Sequence, residues 1–364
     1  MHIYEELSSL FQGELDTSKE TLETYSHDAS LFELKPAVVA RPKDVRDIQS
    51  VVSWVLKNKE KHPELSITPR SAGTDMSGGA IGQSIVLDMT AHFNEVTKLS
   101  RESARVQPGT YYRDFDKKTI DLGVMLPSYP ASRDLCTLGG MVSNNSGGEK
   151  SLQYGKTDQF VTELSVVLGD GNEYVVKPLT KDELVRKMAQ DDFEGKLYKK
   201  TFELLEKHYD EIQAAAPKVS KDSTGYHLWN VWNRETGIFD LTKLFIGAQG
   251  TLGIVTDIKV KLVERPEHSG VLVGYLRNID SLGDIITTVL KHQPATFESF
   301  DDNTLWLSFK FFFSFIKKLG FKRWVKLAFQ LIPDGLMLVK GVPQLVLMIE
   351  FTGHSVDEVE HKID

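Results

Sequence analysis

Three glycine-rich loops constrain this chain more than any other feature of its sequence. The first covers residues 69–82 and reads PRSAGTDMSGGAIG, and the second covers residues 136–155 and reads CTLGGMVSNNSGGEKSLQYG. The third covers residues 247–255 and reads GAQGTLGIV, just ahead of a strand-like segment. Glycine exposes successive backbone N–H groups and lets a ligand approach the backbone closely. Three such loops in one chain favour a binding site over core packing.

The first loop, taken alone, has two interpretations. It is either a phosphate-binding loop or an ordinary glycine turn between strands. A Rossmann loop would read G-x-G-x-x-G into a helix, and a P-loop would end in GK followed by Ser or Thr. Neither pattern is present. In the second loop, the adjacent amides of Asn144 and Asn145 are of a type that satisfies the edge of a flat ligand.

Hydrophobic periodicity predicts how the chain is divided. Residues 35–90 read as strand, helix, strand, loop and strand, which is typical of a small α/β unit. Residues 99–266 add strands, a hairpin turning at Asp170-Gly171 and a helical insert at about 180–213. After Pro266 the pattern starts again. We therefore predict an N-terminal helical segment at residues 1–34. A domain with two subdomains, at about 35–98 and 99–266, follows at residues 35–266. The third part covers residues 267–364.

The third part reads strand, helix, strand and, at its end, strand and helix. The terminal helix has acids in its first turn, as the helix dipole favours. A closing strand is not found after it. We expect this domain to be incomplete, with its remainder on another chain or in an extension.

Composition excludes several classes of protein. The net charge of −8 argues against a nucleic-acid binder, because such a chain repels phosphate. Cys136 is the single cysteine, which excludes internal disulfides and cysteine-based metal clusters. The acidic N-terminus lacks the pattern of a signal peptide, and no apolar run reaches about 18 residues. We expect a cytoplasmic protein.

The order and the sequences of the loops resemble those of the vanillyl-alcohol oxidase or p-cresol methylhydroxylase (PCMH) family of flavoproteins. The resemblance is greatest to its D-lactate, glycolate and D-2-hydroxyglutarate dehydrogenase branch. It covers roughly residues 25–355 and rests on PAVVARPKDVRDIQSVV, PRSAGTDMSGGA, LPSYPASRDLCTLGGMVSNNSGG, SLQYGKTDQFVTELSVVLGDG and GAQGTLGIVT. It implies an α+β protein, with a two-subdomain FAD-binding PCMH-type fold followed by an incomplete ferredoxin-like α+β cap domain.

Carried over by position, the resemblance implies the residues that contact FAD. Around the pyrophosphate it places Arg70, Ser71, Ala72, Gly73, Thr74 and Asp75. Along the flavin and ribityl chain it places Pro127, Thr137, Gly140, Asn144 and Gly147. Beside the isoalloxazine or adenine, through backbone groups, it places Gly250, Ile254 and Val255. Thr74 stands where covalent relatives have the histidine that bonds the flavin, which implies noncovalent FAD.

The chain departs from the usual family sequence at three positions in these loops. Gln249 replaces the usual glutamate, and Ser71 and Asp75 replace usual glycines. These changes alter the charge and anchoring of the loops. Cys136 has two interpretations, a covalent flavin anchor or a small buried thiol; the second is favoured because free cysteine usually behaves as a small hydrophobe.

The resemblance implies an FAD-dependent dehydrogenase or oxidase acting on a 2-hydroxy acid such as D-lactate or glycolate. A base removes the hydroxyl proton while the α-hydrogen leaves as hydride to flavin N5. A quinone, an electron-transfer protein or oxygen then reoxidises the flavin. Two alternatives remain: the same fold acting on another alcohol, or a flavin-binding subunit or truncated remnant that cannot catalyse alone.

The catalytic base is not assigned. In the family the base and any zinc-binding histidines come from a late part of the cap with an HxGDGN-like motif, which this sequence lacks. We expect them beyond Asp364 and predict no metal site here, since the ten histidines show no metal-binding spacing. Tyr226 and His227 either approach the substrate or simply pack, with packing favoured. His354 and His361 fit a solvated helix face.

A basic, aromatic stretch at residues 305–333 stands apart in composition. It contains six basic residues, nine aromatic residues and no acid. It is interpreted either as an interfacial helix pair on anionic lipid or as a helical insert of the cap. The first interpretation predicts a peripheral protein on the inner face of the membrane.

Overall fold

The computed structural model describes residues 3–219, 222, 225–311 and 342–364. The chain divides into two compact units, Met1–Arg265 and Pro266–Asp364, each with its own sheet and core. Most of the basic, aromatic stretch at residues 305–333 lies outside the described residues. No helix in the described ranges has the length and apolar character needed to cross a membrane.

The first unit begins with a four-stranded sheet in the order β1-β2-β4-β3. Strands β2, β4 and β3 are parallel, and β1 is antiparallel to β2. The strands are β1 Glu14–Asp16, β2 Val38–Arg41, β3 Ile67–Arg70 and β4 Ile85–Asp88. The helices are α1 Ile3–Ser8, α2 Lys19–Tyr25 and α3 Val45–Asn58.

Helix α3 shows why this region folds as it does. Asp44 caps its N-terminus by accepting a hydrogen bond from the Arg46 N–H group. The apolar residues at helical spacing, Ile48, Val51 and Val52, are buried in one core with β2 and β4. Strand β4 is buried at every position, as expected for the central strand of a parallel sheet covered on its faces.

A five-stranded antiparallel sheet follows, in the order β5-β6-β12-β8-β9. Its strands are β5 Val96–Leu99, β6 Ser103–Val106, β8 Val161–Val167, β9 Glu173–Val176 and β12 Ile254–Lys261. Two strand pairs accompany it: β7 Val124–Met125 with β13 Val263–Glu264, and β10 Trp232–Asn233 with β11 Ile238–Phe239. The predicted subdomain boundary near residue 98 falls inside β5.

Helices of this second part lie between its strands. They are α4 Tyr112–Ile120, α5 Leu138–Ser143, α6 Ser151–Tyr154, α7 Lys181–Met188, α8 Phe193–Lys207, α9 Tyr209–Ala214 and α10 Thr242–Phe245. Short 3-10 helices cover Thr157–Gln159 and Leu228–Asn230. Val167 and Ile254, at the ends of β8 and β12, are buried in the core of the first sheet. The two sheets therefore pack against each other near the start of β12.

The second unit contains a three-stranded antiparallel sheet in the order β14-β16-β15. The strands are β14 His268–Leu276, β15 Thr296–Asp301 and β16 Leu345–Gly353. The helices are α11 Leu282–Leu290, α12 Asp302–Lys310 and α13 Val356–Ile363. Leu347, Ile349 and Phe351 of β16 form a small core with Val359 of α13. Among the described residues, the order of elements matches the predicted strands and helices of this part.

Candidate functional site

A pocket in the first unit is formed where the three glycine-rich loops meet. The first loop follows β3, the second contains α5, and the third precedes β12. The lining residues are Pro69, Arg70, Ser71, Ala72, Gly73, Thr74, Asp75, Gly79, Ala80, Met89, Pro108, Thr137, Gly139, Gly140, Ser143, Asn144, Phe245, Ala248, Gln249, Gly250, Gly253 and Val255.

Eleven of the fourteen predicted cofactor residues line this pocket, and three do not. Ile254 is buried in the core of the first sheet, because the alternation of a strand turns its neighbour Val255 to the opposite side. Gly147 packs against α6 instead, since an added Cβ would lie 2.4 Å from Ser151 Oγ. Pro127 is buried outside the pocket.

Several lining residues were not predicted. Ala80, Gly139, Ser143, Ala248, Gln249 and Gly253 belong to the same loops and could have been included from their positions alone. Phe245 comes from α10, and Pro108 follows β6. Nothing in the local sequence signals either contact, because both depend on how the second sheet folds back onto α5.

The first loop presents backbone donors to the pocket. In the part of the chain that the structure describes, the N–H groups of Ala72, Gly73 and Thr74 have no hydrogen-bond acceptor. Gly73 has a φ of +66°, and a Cβ at this position would lie 2.5 Å from Nη2 of Arg70. Glycine is therefore required here by both conformation and space. Unpaired N–H groups that line a pocket suit an anionic ligand.

Arg70 adds a positive charge to the same side of the pocket. Its side chain is buried, and Nη1 donates to the carbonyl oxygens of Tyr25 and Ala80, both at 3.3 Å. Within the described ranges, no carboxylate forms an ion pair with it. Burial lowers the pKa of Arg70, while the charges of Asp28 and Asp88 act in the opposite direction. A buried guanidinium without a direct counter-ion is a strong site for a phosphate or carboxylate.

Asp75 joins the first loop to α5. Its Oδ2 accepts from the Ser77 hydroxyl at 2.6 Å and from the N–H groups of Ser77 and Gly79 at 3.2 and 2.8 Å. Its Oδ1 accepts from the Asn144 amide at 3.0 Å. Burial raises the pKa of Asp75, but these hydrogen bonds outweigh burial and hold it below its ordinary value. The carboxylate is thus kept ionised at the edge of the pocket.

Gln249 brings the third loop to the same cluster. Its Nε2 donates to the Ser77 hydroxyl at 3.2 Å. Its backbone N–H donates to the Ser143 carbonyl at 3.0 Å, and the N–H of Gly247 donates to Val142 at 2.9 Å. Asp75 and Gln249, which both differ from the usual family sequence, therefore both form hydrogen bonds with the Ser77 hydroxyl. All three loops are connected by hydrogen bonds around the pocket.

Helix α5 has room for a side-chain atom at Gly140. Thr137 caps the helix by accepting from the Gly140 N–H at 3.3 Å. A Cβ at Gly140 would be 3.6 Å from Thr137 Oγ1 and 3.9 Å from Ser71 Cβ, which are ordinary contacts. At Gly139, by contrast, a Cβ would lie 2.6 Å from Pro108. Gly139 is thus needed for packing, whereas Gly140 leaves a space that a ligand can fill.

Residues with weaker predicted roles lie away from the pocket lining. Cys136 is buried, and burial raises the pKa of its thiol to about 11, so it behaves as a small neutral side chain. His227 is buried and stacks on Trp229 with ring centres 5.1 Å apart, with Nε2 3.4 Å from Asp222. The hydroxyls of Tyr226 and Thr251 are 2.8 Å apart. Burial favours the packing interpretation for Cys136 and His227, whereas Tyr226 is exposed.

Potential metal ligands among the described residues do not line the pocket. His354 and His361 are exposed. One group of side chains in the described residues, Glu23, His27 and Glu33, brings ligand atoms within 4.8 Å of one another. All three are exposed, and none lines the pocket.

Comparison with known proteins gives the relationships of the chain. Residues 36–177 match the family described as FAD binding domain. The D-2-hydroxyglutarate dehydrogenase of Pseudomonas putida is 28% identical, over 83% of this chain and 30% of that protein. The glycolate oxidase subunit GlcD of Bacillus subtilis is 29% identical, over 77% of this chain and 49% of that protein. A D-lactate dehydrogenase of Anaerostipes hadrus is 25% identical, over 73% and 44%.

A solved structure is similar in fold. The alkyldihydroxyacetonephosphate synthase structure has a TM-score of 0.67 at 16% identity and covers 98% of this chain and 57% of that one. The chain spans about a quarter to a half of the length of the curated relatives it matches. The resemblance predicted from the loops, to this branch of FAD-linked proteins, is confirmed.

Proposed function

We propose that this chain binds FAD noncovalently in the three-loop pocket, since residues 36–177 match the family described as FAD binding domain. The observation that carries the proposal is the convergence of unpaired backbone donors and a buried cation. Ala72, Gly73 and Thr74, whose N–H groups have no acceptor among the described residues, line the same pocket as Arg70, whose guanidinium is buried. FAD has a pyrophosphate that needs such a set of donors.

The rest of the pocket suits the remainder of the cofactor. Thr137, Gly140 and Asn144 on α5 line it on one side, and Gly250 and Val255 line it through the third loop. The space at Gly140 supports placing a flat ring or its ribityl chain against α5. Neither histidine nor cysteine from the described residues lines the pocket, which supports noncovalent binding.

We further propose that the chain is the flavin part of an oxidoreductase acting on a 2-hydroxy acid such as D-lactate or glycolate. Relatives are named for D-2-hydroxyglutarate, glycolate and D-lactate, all of which are 2-hydroxy acids. When bound, FAD supplies the hydride acceptor for oxidation of the CH–OH group. The residues of this chain bind and orient it: Arg70 and the first loop neutralise its anionic part, and the hydrogen bonds at Ser77 hold the loops in place.

The remaining partners are proposed from the same family resemblance. The second unit is the substrate-side cap, and its order of strands and helices supports a ferredoxin-like arrangement. The electron acceptor is a quinone or an electron-transfer protein. Composition supports contact of residues 305–333 with the inner face of a membrane.

The test of the proposal is direct. The purified protein is expected to be yellow, and acid precipitation is expected to release FAD into the supernatant. Flavin that remains on the precipitate would contradict noncovalent binding, and FMN in place of FAD would contradict the pyrophosphate site. A dye-reduction assay with a panel of 2-hydroxy acids then tests the reaction. Bound FAD without turnover of any of them would favour the alternative of a flavin-binding subunit.

A further inference from the structure

The segment that precedes the matched FAD binding domain contacts the back of the first glycine-rich loop. The family match begins at residue 36, whereas residues 25–32 touch the loop at three places. The ring of Tyr25 stacks on Arg70, and the Ala29 N–H donates to the Gly73 carbonyl at 3.1 Å. A Cβ at Gly78 would lie 3.0 Å from the ring of Phe32.

Tyr25 makes the most specific of these contacts. The guanidinium carbon of Arg70 lies 5.0 Å from the centre of its ring, and Arg70 Nη1 donates to its carbonyl oxygen. Its hydroxyl donates to the buried carboxylate of Asp88 at 2.6 Å. Asp88 is paired in register with Arg70 on neighbouring strands and also lies 3.6 Å from Arg41. The ring is therefore fixed at its hydroxyl end while its face holds Arg70.

Arg70 depends on this support because little else orients it. Its other hydrogen bond is to the Ala80 carbonyl, and Gly73 approaches its guanidinium too closely to admit a side chain. A guanidinium stacked on an aromatic ring keeps its plane and still has N–H groups free at its edge. Such a group offers a phosphate a rigid pair of donors, whereas an unsupported one would lose conformational entropy on binding.

We infer that residues 25–32 are part of the cofactor site, and that Tyr25 is a positioning residue that holds Arg70 for the pyrophosphate of FAD. The inference rests on the proposed function, since it takes the anion at Arg70 to be that pyrophosphate. It predicts a selective effect. Loss of the ring weakens the binding of ligands that carry phosphate and leaves the contacts to the isoalloxazine ring unchanged.

The experiment compares two ligands with the same ring system. Flavin-free protein is titrated with FAD and with riboflavin, which lacks phosphate, and the quenching of flavin fluorescence gives each Kd. Tyr25→Leu is expected to weaken the affinity for FAD by about tenfold, in keeping with the loss of a desolvated cation–π contact. The affinity for riboflavin is expected to change by less than about twofold. Tyr25→Phe keeps the ring and loses only the hydroxyl bond to Asp88, so its FAD affinity is expected to lie closer to that of the wild type than to that of Tyr25→Leu.

A second variant tests the coupling to Arg70. In an Arg70→Gln background, Tyr25→Leu is expected to cause no further loss of FAD affinity. Equal loss for FAD and riboflavin, no loss for either, or full additivity with Arg70→Gln would overturn the positioning role. If Tyr25→Leu does not fold, Arg70→Lys tests the same contact, because it keeps the charge and removes the planar stacking group; an unchanged ratio of the two Kd values would then refute the inference. Wild-type protein that binds riboflavin as tightly as FAD would instead refute the proposed pyrophosphate site.

Discussion

Oδ1 of Asp75 accepts a hydrogen bond of 3.0 Å from the side-chain amide of Asn144 and so ties the first glycine-rich loop to helix α5. The same carboxylate accepts three hydrogen bonds through Oδ2 from Ser77 and Gly79. A single ionised side chain thus holds together two of the three elements that form the pocket. It makes the shape of the pocket dependent on charge.

Replacing Asp75 by asparagine is expected to lower stability in a pH-dependent way. The pKa of Asp75 is depressed in the folded protein, so its contribution is present above the unfolded pKa of about 4 and is lost as pH falls through the folded value. Because the group is partly exposed, we expect a loss of only about 1 kcal/mol at pH 7. At pH 3 and below, the difference from the wild type should shrink.

Urea unfolding of the flavin-free protein at the two pH values measures this effect. Glu60→Gln, which removes an exposed carboxylate near the end of α3, is the control for the change in net charge. A destabilisation by Asp75→Asn that is the same at pH 3 and pH 7 would show that the carboxylate charge is not what links the loops.

Gly140→Ala is expected to affect folding and flavin binding in opposite directions. An alanine in a helix is favoured over glycine by about 1 kcal/mol, and the new Cβ meets no protein atom closer than 3.6 Å. The flavin-free variant should therefore be as stable as the wild type or more so. Its FAD affinity should fall by at least about tenfold, because even one methyl group occupies space reserved for the ligand.

Thermal unfolding and FAD titration of the same preparations test both parts. Gly169→Ala is a matched control, since a Cβ there meets nothing within 4 Å and the position does not line the pocket. Full FAD affinity in Gly140→Ala would mean that the cofactor does not approach α5.

The sequence was sufficient to predict which loops form the pocket, since glycines, asparagines and flanking strands are local signals. It also predicted a helix within residues 35–90, because Ile48, Val51 and Val52 of α3 recur at the spacing of a helix, and the structure buries all three. It did not predict β1, whose three residues are too few for a periodic pattern and which forms by pairing with β2. Contacts such as Tyr25 with Arg70 join residues 45 positions apart and have no local signature.

The structure separates the side chains of Ile254 and Val255. The sequence resemblance of the third loop assigns Ile254 and Val255 to the same cofactor site, but the side chains of consecutive residues in a strand face opposite sides. Val255 lines the pocket, and Ile254 enters the core of the first sheet. A resemblance by position identifies the loop, while the backbone geometry decides which of two neighbouring side chains faces the pocket.

Gly73→Ala is expected to weaken FAD binding through a contact with Arg70, in addition to the stability that it loses through its backbone conformation. A φ of +66° costs an alanine about 1–2 kcal/mol. In addition, its Cβ would lie 2.5 Å from Arg70 Nη2 and must displace the guanidinium. The variant should lose stability and lose FAD affinity, with a much smaller loss for riboflavin.

Gly123→Ala separates the two contributions. Gly123 has a nearly identical φ of +68°, and a Cβ there meets nothing within 4 Å. Its free energy of unfolding should fall by the conformational cost alone, and FAD binding should be unchanged. Equal effects of the two substitutions on FAD affinity would argue against a role for the contact between Gly73 and Arg70.

Membrane contact by residues 305–333 is expected from their composition, with six basic and nine aromatic residues and no acid. Each basic residue near an anionic surface contributes about 1 kcal/mol, and burial of aromatic rings among the headgroups adds to this. Repulsion from the acidic remainder of the chain is screened beyond about 8 Å at physiological salt. The protein should therefore sediment with anionic vesicles, less so as salt rises, and not with neutral ones.

Charge reversal provides the control for this last prediction. Binding should be lost when glutamate replaces Lys317, Lys318, Lys322 and Arg323. The same number of reversals at exposed lysines elsewhere, at Lys57, Lys61, Lys199 and Lys200, should leave most of it intact, although the net charge changes equally. If both variants lose binding to the same extent, the attraction depends on net charge and not on this stretch. If the wild-type protein stays in the supernatant with anionic vesicles at low salt, the membrane interpretation is wrong and a packing role for residues 305–333 is favoured.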